Sequence, residues 1–460
     1  MLMEYTAPRI LLAGTNSGCG KTTLCCALLQ ALVNRNMQVG AFKCGPDYID
    51  PMFHSRIIGT HSANLDSFFF SENTLRYLLA KNSAGCDVSI LEGVMGFYDG
   101  LSLDSTKAST YEVAKITRTP VVLVVNAAGA AMSVLAVIQG FFSLYPDNQI
   151  QGVILNLCSA GSYPGLARAI REKFAGKIQP LGFLPAVPES TLESRHLGLI
   201  TAGEVENLKE KLQTLAMQAE KTLDLDGLLE LAWSAPALTC EEVTFPRQEP
   251  VRIGVAQDKA FCFYYGDNLT ALEELGAQLV PFCPLTDNHL PENLDGLYLG
   301  GGYPELYLPQ LSQNQQMRQS IREALDAGLP CIAECGGFMY LTQAIADVPM
   351  VGAVEGSCFD RGKLTRFGYV TLTAQKDNLL CKAGQSIAGH EFHHWDCTEN
   401  GSAFLAEKPS GKQWSAVVAT QTLYAGFPHF HFYANPEFVR NFYEACRKEK
   451  YRHAGNHQTR

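Results

Sequence analysis

The segment GTNSGCGKTT, residues 14–23, decides the fold of the first half of the chain. It follows an apolar run at residues 10–13 and precedes a long apolar stretch with helical spacing. In a strand, loop and helix in this order, glycines let backbone N–H groups converge on phosphate oxygens at the helix N-terminus. Lys21 would neutralise nucleotide phosphates, and the Thr22 hydroxyl would bind Mg²⁺. The residues predicted to contact the nucleotide here are Gly18, Gly20, Lys21, Thr22 and Thr23.

Two acidic segments follow later strands of the same half, where ligands of an open α/β sheet collect. They are KCGPDYIDPMFH, residues 43–54, and LEGVMGFYDG, residues 91–100. Asp47 and Glu92 are placed to complete a Mg²⁺ shell with Thr22, because Mg²⁺ prefers few carboxylates together with phosphate oxygens and water. Each acid taken alone is equally well explained as a solvated loop charge or a helix cap. Because a phosphate loop is predicted beside them, we favour the metal site over these alternatives.

The first half alternates short apolar runs with helical stretches, which predicts βα units on a mostly parallel sheet. Residues 203–231, rich in Glu, Lys and Leu, predict one or two closing surface helices. The predicted strands are 10–13, 39–42, 88–91, 121–125, 152–155 and 180–183.

A second α/β rhythm begins after a poorly periodic, Pro-containing segment that predicts a linker. Its strands are expected at 251–256, 278–281, 296–299 and 331–333, with short strands after residue 351 and a last helix at about 436–448. The predicted domains are residues 1–235 and 251–448, with a linker at 236–250 and a flexible tail at 449–460.

Composition excludes several classes of protein. A net charge of −10 without a long basic run gives no footprint for nucleic acid. The 15 cysteines include no CxxC pair, which favours reduced thiols in a cytoplasm over a disulfide framework or a structural zinc site. Residues 1–10 contain Glu4, Pro8 and Arg9, so we expect no signal peptide. These features together predict a cytoplasmic protein.

One uncharged stretch, between Arg118 and Asp147, is long enough to span a bilayer. It divides, however, into a buried strand at 121–125, a turn at 126–129 and a separate helix at 132–142. We therefore expect no membrane span.

The second half contains CIAECGGFMYL, residues 331–341, in which a strand passes through a glycine-rich turn into a helix. This order is typical of the strained elbow that presents a nucleophile at the top of a sheet. We predict that Cys335 is the nucleophile, since a helix N-terminus lowers a thiol pKa and a nearby imidazole can take its proton. Cys331 is expected to be an inert core residue. LGGGYPE, residues 299–305, would supply an oxyanion hole through the N–H groups of Gly301 and Gly302.

The base for Cys335 is expected in GFPHFHFYANPE, residues 426–437, just before the last helix. Both His429 and His431 are available. Alternation along a strand would put both on one face, so their spacing does not choose between them.

Several segments in order resemble the amidoligase domain of the cobyrinic acid a,c-diamide synthases, which is related to dethiobiotin synthetase. They are the three segments of residues 14–23, 43–54 and 91–100 together with LGFLPAVPESTLESRHLGL, residues 181–199. The resemblance implies a P-loop NTPase-like, parallel-sheet α/β domain. It also implies that Asn156 reads adenine and that Asp99 and Arg195 face the substrate. Asn126 departs from the family, where Asp is expected.

The second half resembles the class I, triad-type glutamine amidotransferase domain in the branch shared by cobyrinic and cobyric acid synthases. That resemblance favours His429 as the base and leaves His431 a structural or orienting role. GHEFHHWD, residues 389–396, and FCFYYGDN, residues 261–268, also resemble family segments. Glu391 and His393 are expected as tetrapyrrole or domain contacts, although ordinary packing of aromatic strands would explain them too.

The resemblance covers nearly the whole chain and implies a reaction: ATP-dependent amidation of the a and c carboxylates of cobyrinic acid through acyl phosphates, with ammonia from glutamine. The small-molecule partners would be cobyrinic acid, glutamine and ATP, with Mg²⁺ as cofactor. The same chemistry on nickel-sirohydrochlorin or hydrogenobyrinic acid stays open. Cobyric acid synthase is disfavoured, because it has a KPQNM-like segment where this chain reads KCGPDYIDP. A partitioning-type ATPase switch needs no Cys335 elbow and usually has a Lys early in the loop, where this chain has Asn16. The retained Lys21, Thr22, Asp47 and Glu92 argue against a glutaminase with a vestigial nucleotide domain.

Overall fold

The computed structural model of the chain describes residues 2–190 and 202–458. It divides into two compact units, Met1–Val243 and Thr244–Arg460.

The first unit is built on a parallel sheet. Within the described residues seven strands form this sheet in the order β4-β3-β5-β2-β6-β7-β8. The central strands are buried along nearly their whole length, as expected for a parallel sheet covered on both faces. The strands of the unit are β1 (Leu2–Tyr5), β2 (Arg9–Gly14), β3 (Val39–Cys44), β4 (His61–Leu65), β5 (Val88–Glu92), β6 (Val121–Asn126), β7 (Ile150–Asn156), β8 (Gln179–Leu184) and β9 (Leu238–Glu241).

Helices follow most of these strands. One face of the sheet packs against the apolar sides of α1, α7 and α8, and the residues between them are almost fully buried. The helices are α1 (Lys21–Asn34), α2 (Ile49–Phe53), α3 (Glu72–Ser83), α4 (Thr110–Thr117), α5 (Ser133–Leu144), α6 (Tyr163–Phe174), α7 (Ala202–Thr222) and α8 (Leu225–Trp233). A π-helical turn (His54–Ile58) continues α2, and a 3₁₀ turn occupies Pro188–Ser190.

The six strands predicted in this unit are all present, within one or two residues of their expected ends. The uncharged stretch is divided as predicted into β6 and α5. No helix among the described residues has the length and apolar character that a membrane crossing requires. Strand β4 was missed, because its sequence HSANL is too polar to read as a strand.

A two-stranded antiparallel sheet joins the two ends of the first unit. Strand β1 pairs with β9, with Leu2 opposite Glu241 and Tyr5 opposite Leu238. Nearby, the fully buried guanidinium of Arg9 donates to the carbonyl oxygens of Thr117 (2.9 Å) and Pro236 (2.8 Å). The segment predicted as a linker is therefore partly built into this unit through β9.

The second unit has a parallel core and an antiparallel part. Its main sheet has the order β12-β10-β13-β15-β25-β24, in which only the β24–β25 pair is antiparallel. The first strands of the unit are β10 (Val251–Ala256), β11 (Phe261–Phe263), β12 (Ala277–Phe282), β13 (Gly296–Leu299), β14 (Gly301–Gly302) and β15 (Cys331–Glu334). The later strands are β16 (Ala344–Ile345), β17 (Val348–Pro349), β18 (Ser357–Asp360), β19 (Arg366–Ala374), β20 (Ser386–His393), β21 (Trp395–Cys397), β22 (Phe404–Glu407), β23 (Gln413–Ala416), β24 (Val418–Ala419), β25 (Leu423–Gly426) and β26 (His429–Phe430).

The antiparallel part contains a five-stranded sheet, β23-β22-β19-β20-β26, and a four-stranded sheet, β17-β16-β18-β21. The helices of the second unit are α9 (Gly266–Leu275), α10 (Leu308–Gln313), α11 (Gln315–Asp326), α12 (Gly336–Leu341) and α13 (Pro436–Gln458), with 3₁₀ turns at Pro304–Leu306 and Phe432–Ala434. The four strands predicted for the main sheet are present as β10, β12, β13 and β15.

The last helix was predicted to end near Lys448, and this was wrong. Helix α13 continues to Gln458, so the described part of the expected tail is helical. Side chains beyond the predicted end are held: the Lys450 ammonium donates to the Pro250 carbonyl oxygen at 2.7 Å, and Arg452 bonds the Ala327 carbonyl oxygen.

Candidate active sites

The phosphate loop lies between the end of β2 and the start of α1, as predicted. Gly18 and Gly20 have φ values of 82° and 90°, in the left-handed region that favours glycine. A Cβ on Gly20 would lie 1.9 Å from the side-chain nitrogen of Asn156. The backbone conformation and this close contact both require glycine at position 20. Thr23 lies half-buried in the first turn of α1.

Asn156 ends β7 directly beneath this loop. Its amide nitrogen Nδ2 donates to the Cys19 carbonyl oxygen at 2.8 Å, and the side chain is buried. Through this hydrogen bond Asn156 holds the backbone of the phosphate loop in place. Its role in reading adenine stays a prediction.

The acidic segment after β5 lies beside the loop because β5 is the parallel neighbour of β2. Thr22 Oγ1 donates to Glu92 Oε1 at 2.8 Å. The ammonium group of Lys21 donates to the Met95 carbonyl oxygen at 3.3 Å. The structure therefore brings together the threonine and the glutamate that the sequence predicts as metal ligands.

A buried charge network extends behind Glu92. The Lys43 ammonium lies 3.0 Å from Glu92 Oε1 and forms an ion pair with Asp50, and His54 Nε2 lies 3.5 Å from Glu92 Oε2. Burial opposes the charge on Lys43, but Glu92 and Asp50 outweigh it and hold its pKa above the usual value. The sequence reasoning assigned no role to Lys43 or Asp50. Both lie in the acidic segment 43–54. A buried charge must be paired, so a lysine and an aspartate in one buried segment could have indicated this ion pair.

Asp47 follows β3 at the same edge of the sheet, where its Oδ1 accepts the Ile49 N–H at 2.8 Å. Burial and the neighbouring Asp50 raise its pKa. A Mg²⁺ ion would suit this donor set, since a hydroxyl and two carboxylates are the hard oxygen ligands it prefers. Glu92 Oε2 is buried and accepts no hydrogen bond within the part of the chain that the structure describes. Thr22 and Glu92, which are in contact, and Asp47 at the same edge of the sheet therefore offer the kind of ligand that fits the ion.

The structure gives less support for the residues expected to face the ligase substrate. Asp99 is exposed, and its Oδ2 accepts the Gly96 N–H at 2.9 Å, which fixes the turn after β5. Arg195 lies outside the described residues. Asn126, where the family has Asp, is exposed at the end of β6 and its Oδ1 accepts the Ala128 N–H at 2.9 Å.

The elbow in the second unit is strained at its nucleophile. Cys335 stands between β15 and α12 with φ 47° and ψ −102°, a backbone conformation rare for a residue with a side chain. Its N–H donates to the Gly426 carbonyl oxygen at 2.8 Å. The turn needs Gly337, because a Cβ there would lie 2.2 Å from the Leu299 carbonyl oxygen.

The expected lowering of the Cys335 pKa is not found. Burial raises the pKa of this thiol, and the negative charge of Glu305 raises it further, while the Gly336 N–H only partly opposes them. The helix N-terminus is therefore outweighed by desolvation. The thiol needs a base to give up its proton.

His429 lies beside this elbow. Its Nδ1 atom is 2.9 Å from Glu334 Oε2, and both side chains are buried. Glu334 Oε1 accepts the Tyr298 hydroxyl at 2.8 Å. The sequence alone predicted no role for Glu334, which precedes Cys335. A carboxylate at the end of a fully buried strand could have indicated one, because a buried charge needs a partner.

His431 has different surroundings. Strand β26 ends at Phe430, so strand alternation does not extend to His431, which instead begins a 3₁₀ turn. Its Nδ1 accepts the Tyr433 N–H at 3.3 Å, and its Nε2 lies 3.9 Å from Asp267. These contacts support a structural role for His431.

The glycine segment expected as an oxyanion hole packs against His429 and against the elbow that contains Cys335. Gly301 and Gly302 form β14, which pairs with β11. A Cβ on Gly301 would lie 2.6 Å from Cε1 of His429, and a Cβ on Gly336 would lie 3.0 Å from the Gly302 nitrogen. The backbone of β14 thus approaches both the histidine and the elbow, as an oxyanion role requires.

Glu391 and His393 lie in β20, next to the strand that contains His429. Glu391 Oε2 is 3.5 Å from His393 Nε2 and 3.8 Å from Arg366 Nε. The His393 ring stacks on Phe427, with ring centroids 4.0 Å apart. Both residues are therefore packed in the second unit beside the elbow.

Two family profiles match the chain, one for each unit. The family described as "CobQ/CobB/MinD/ParA nucleotide binding domain" matches residues 10–200. The family described as "CobB/CobQ-like glutamine amidotransferase domain" matches residues 252–437. Among solved structures, PurLQS from Thermotoga maritima is similar with a TM-score of 0.31 and 14% identity, over 43% of this chain and 98% of that one.

Three curated relatives that match nearly the whole chain share one name. The cobyrinate a,c-diamide synthase of Caldanaerobacter subterraneus subsp. tengcongensis is 40% identical, over 95% of this chain and 98% of its own. Those of Listeria innocua serovar 6a and Priestia megaterium are each 38% identical, over 96% of this chain and 100% and 98% of their own. The chain belongs to the cobyrinate a,c-diamide synthase family and is a glutamine-dependent amide ligase that uses ATP.

Proposed function

We propose that the chain converts the a and c carboxylates of cobyrinic acid into amides, with ATP as the activating substrate and glutamine as the nitrogen source. The observation that carries this is that one chain contains both candidate sites. One has the phosphate loop with Thr22 on Glu92, and the other has Cys335 beside the His429–Glu334 pair. The name of the relatives supports the choice of substrate.

The ligase site activates a carboxylate. A carboxylate is a poor acyl donor because oxide would have to leave, whereas an acyl phosphate releases phosphate. The loop amides and Lys21 would stabilise negative charge on the transferred phosphoryl group. Thr22, Asp47 and Glu92 would hold Mg²⁺, which neutralises phosphate charge. Lys43 would limit repulsion among the carboxylates behind the site.

The glutaminase site releases ammonia. His429 takes the proton of the Cys335 thiol, and the thiolate attacks the side-chain amide carbon of glutamine. Gly301 and Gly302 N–H groups would stabilise the resulting oxyanion. The C–N bond then breaks, ammonia leaves with the proton from His429, and water hydrolyses the thioester to glutamate. Glu334 would keep the proton on Nδ1, which leaves Nε2 as the atom that takes the thiol proton.

The test is mass spectrometry of products with cobyrinic acid, hydrogenobyrinic acid and nickel-sirohydrochlorin supplied side by side, each with ATP, Mg²⁺ and glutamine. We expect cobyrinic acid to gain two amides at the highest rate. Each gain should consume ATP and should persist when ammonia replaces glutamine. A faster reaction of another tetrapyrrole would change the substrate assignment. No amidation of any of the three with either nitrogen source would overturn the proposed function.

A further inference from the structure

The carboxylate of Glu391 is almost fully buried, with a side-chain exposure of 1%. Its Oε2 faces Arg366 at 3.8 Å and His393 at 3.5 Å. Its other oxygen, Oε1, is also buried and accepts no hydrogen bond from any described residue. A buried carboxylate oxygen without a donor is costly. Glu391 therefore has the means to bind a further cation or donor through Oε1.

Glu391 lies in β20, which pairs with the strand that contains His429. It follows His390, which lies opposite His429 in the β20–β26 pair with the two imidazole rings stacked 5.2 Å apart. The ring of Phe427, next to the Gly426 carbonyl that accepts the Cys335 N–H, stacks on His393.

The electrostatics agree with this placement. The negative charge of Glu391 is one of the influences that raise the Cys335 pKa, which places the two groups within electrostatic range of each other. The position of Glu391 is constrained, because the Arg366 guanidinium lies 4.7 Å over the Trp414 ring and His393 is fixed by a 2.6 Å contact with the Trp395 carbonyl oxygen.

We propose that Glu391 binds the α-ammonium group of glutamine through Oε1; this assignment rests on the proposed glutaminase function. Glutamine is the substrate that reacts at Cys335, and it carries one cationic group at the end remote from the reacting amide. A charge-assisted hydrogen bond from that ammonium would fill the open acceptor.

This assignment differs from the tetrapyrrole contact expected from the sequence. Cobyrinic acid carries many carboxylates, and a buried carboxylate repels like charge. The chemistry of Glu391 favours a small ammonium compound over a polyanion. Arg366 and His393 then act as positioning residues that fix the Glu391 side chain.

The test compares glutamine with glutaramate, the analogue that lacks only the α-amino group. Release of ammonia is measured with wild-type enzyme and with Glu391→Gln. We expect wild type to prefer glutamine strongly in kcat/KM. We expect Glu391→Gln to lose about 10- to 100-fold with glutamine, mainly through KM, and to change little with glutaramate, because a hydrogen bond to a charged group is worth that much.

Two controls separate binding from folding. Glu407→Gln, an exposed change in β22 of the same sheet, should leave both substrates unaffected. ATP-dependent amidation with added ammonia should continue in Glu391→Gln, because it uses the first unit.

An equal loss with both substrates would overturn the assignment, since Glu391 would then support only the packing of the site. Equal use of glutamine and glutaramate by the wild type would overturn it without any variant. Failure of the wild type to hydrolyse glutamine at all would instead remove the proposed function on which the assignment rests.

Discussion

His429 Nδ1 lies 2.9 Å from Glu334 Oε2, although the two residues are 95 positions apart in the sequence. Glu334 ends β15 and is the neighbour of Cys335 in the chain, so one strand end and the elbow after it supply the carboxylate that orients the base and the nucleophile. The geometry has the order of a nucleophile, base and orienting acid, as in hydrolytic triads on unrelated folds.

Glu334→Gln should therefore slow glutamine hydrolysis at least about tenfold in kcat, because the amide can favour the wrong imidazole tautomer. The KM for glutamine should change little, since Glu334 is buried behind the histidine. Steady-state ammonia release measures both quantities. Glu407→Gln is the matched control. An unchanged kcat in Glu334→Gln would show that the carboxylate serves folding alone.

Cys335→Ala should abolish amidation from glutamine and preserve amidation from added ammonia, because the thiol and the phosphate loop belong to different units. Product formation with each nitrogen source measures the effect. Cys331→Ala, at the start of β15 and four residues earlier in the chain, removes a buried thiol for which we expect no catalytic role and should keep both activities. Equal loss with both nitrogen sources in Cys335→Ala would contradict the two-site arrangement.

His429→Ala should reduce glutaminase kcat far more than His431→Ala, since only His429 contacts Glu334. His431 is fully buried and caps a 3₁₀ turn, so its replacement should lower thermal stability instead. Thermal unfolding curves run beside the kinetic assays distinguish the two effects. The reverse ranking of the kcat values would identify His431 as the base.

Glu92→Gln should abolish amidation from either nitrogen source and leave glutamine hydrolysis in place. The amide keeps the shape of the side chain but removes the charge that faces Thr22 and Lys43. Losing such a group at a phosphoryl-transfer site costs on the order of 3 kcal/mol, about a hundredfold in rate. The assay uses saturating ammonia and varied Mg²⁺. Glu72→Gln, an exposed change in α3, is the control; a near wild-type rate in Glu92→Gln would move the ligase site elsewhere.

Glu305→Gln should change the pH dependence of Cys335 alkylation. Burial raises the pKa of Glu305 to about 7, so this carboxyl is neutral at lower pH and negative at higher pH. Its negative charge raises the Cys335 pKa and disfavours the thiolate. The variant should therefore react faster than wild type above pH 7, and the two rates should converge below it. Mass spectrometry of the Cys335 peptide after iodoacetamide treatment measures both; rates in a fixed ratio at every pH would refute the link.

Local patterns in the sequence were enough to predict most of the parallel strands. They also predicted the phosphate loop after β2 and the elbow after β15. Gly18 and Gly20 have the positive φ values that favour glycine, and a Cβ on Gly20 or Gly337 would lie too close to Asn156 or to the Leu299 carbonyl oxygen.

Relationships across distant segments were not predictable in this way. The role of Glu334 depends on a histidine 95 positions away, and the contact of Asn156 with Cys19 spans 137 positions. The sequence predicted a lowered Cys335 pKa, and this was wrong because burial raises it. The degree of burial depends on how the whole unit packs. Strand β9 was missed for a related reason, since it is a strand only because β1 pairs with it.

The pairing of β1 with β9 has a consequence for biosynthesis. Arg9 and Pro236, which are hydrogen-bonded near this pair, are 227 positions apart. A ribosome adds about 5–20 residues per second, so the beginning of the chain waits roughly 10 to 45 s for its partner to be made. Throughout that interval β1 is an unpaired edge and the Arg9 guanidinium lacks an acceptor that it has in the finished unit. The first strand of the chain is thus among the last parts of the first unit to be paired, and nascent chains that end before residue 241 cannot form the complete β1–β9 sheet.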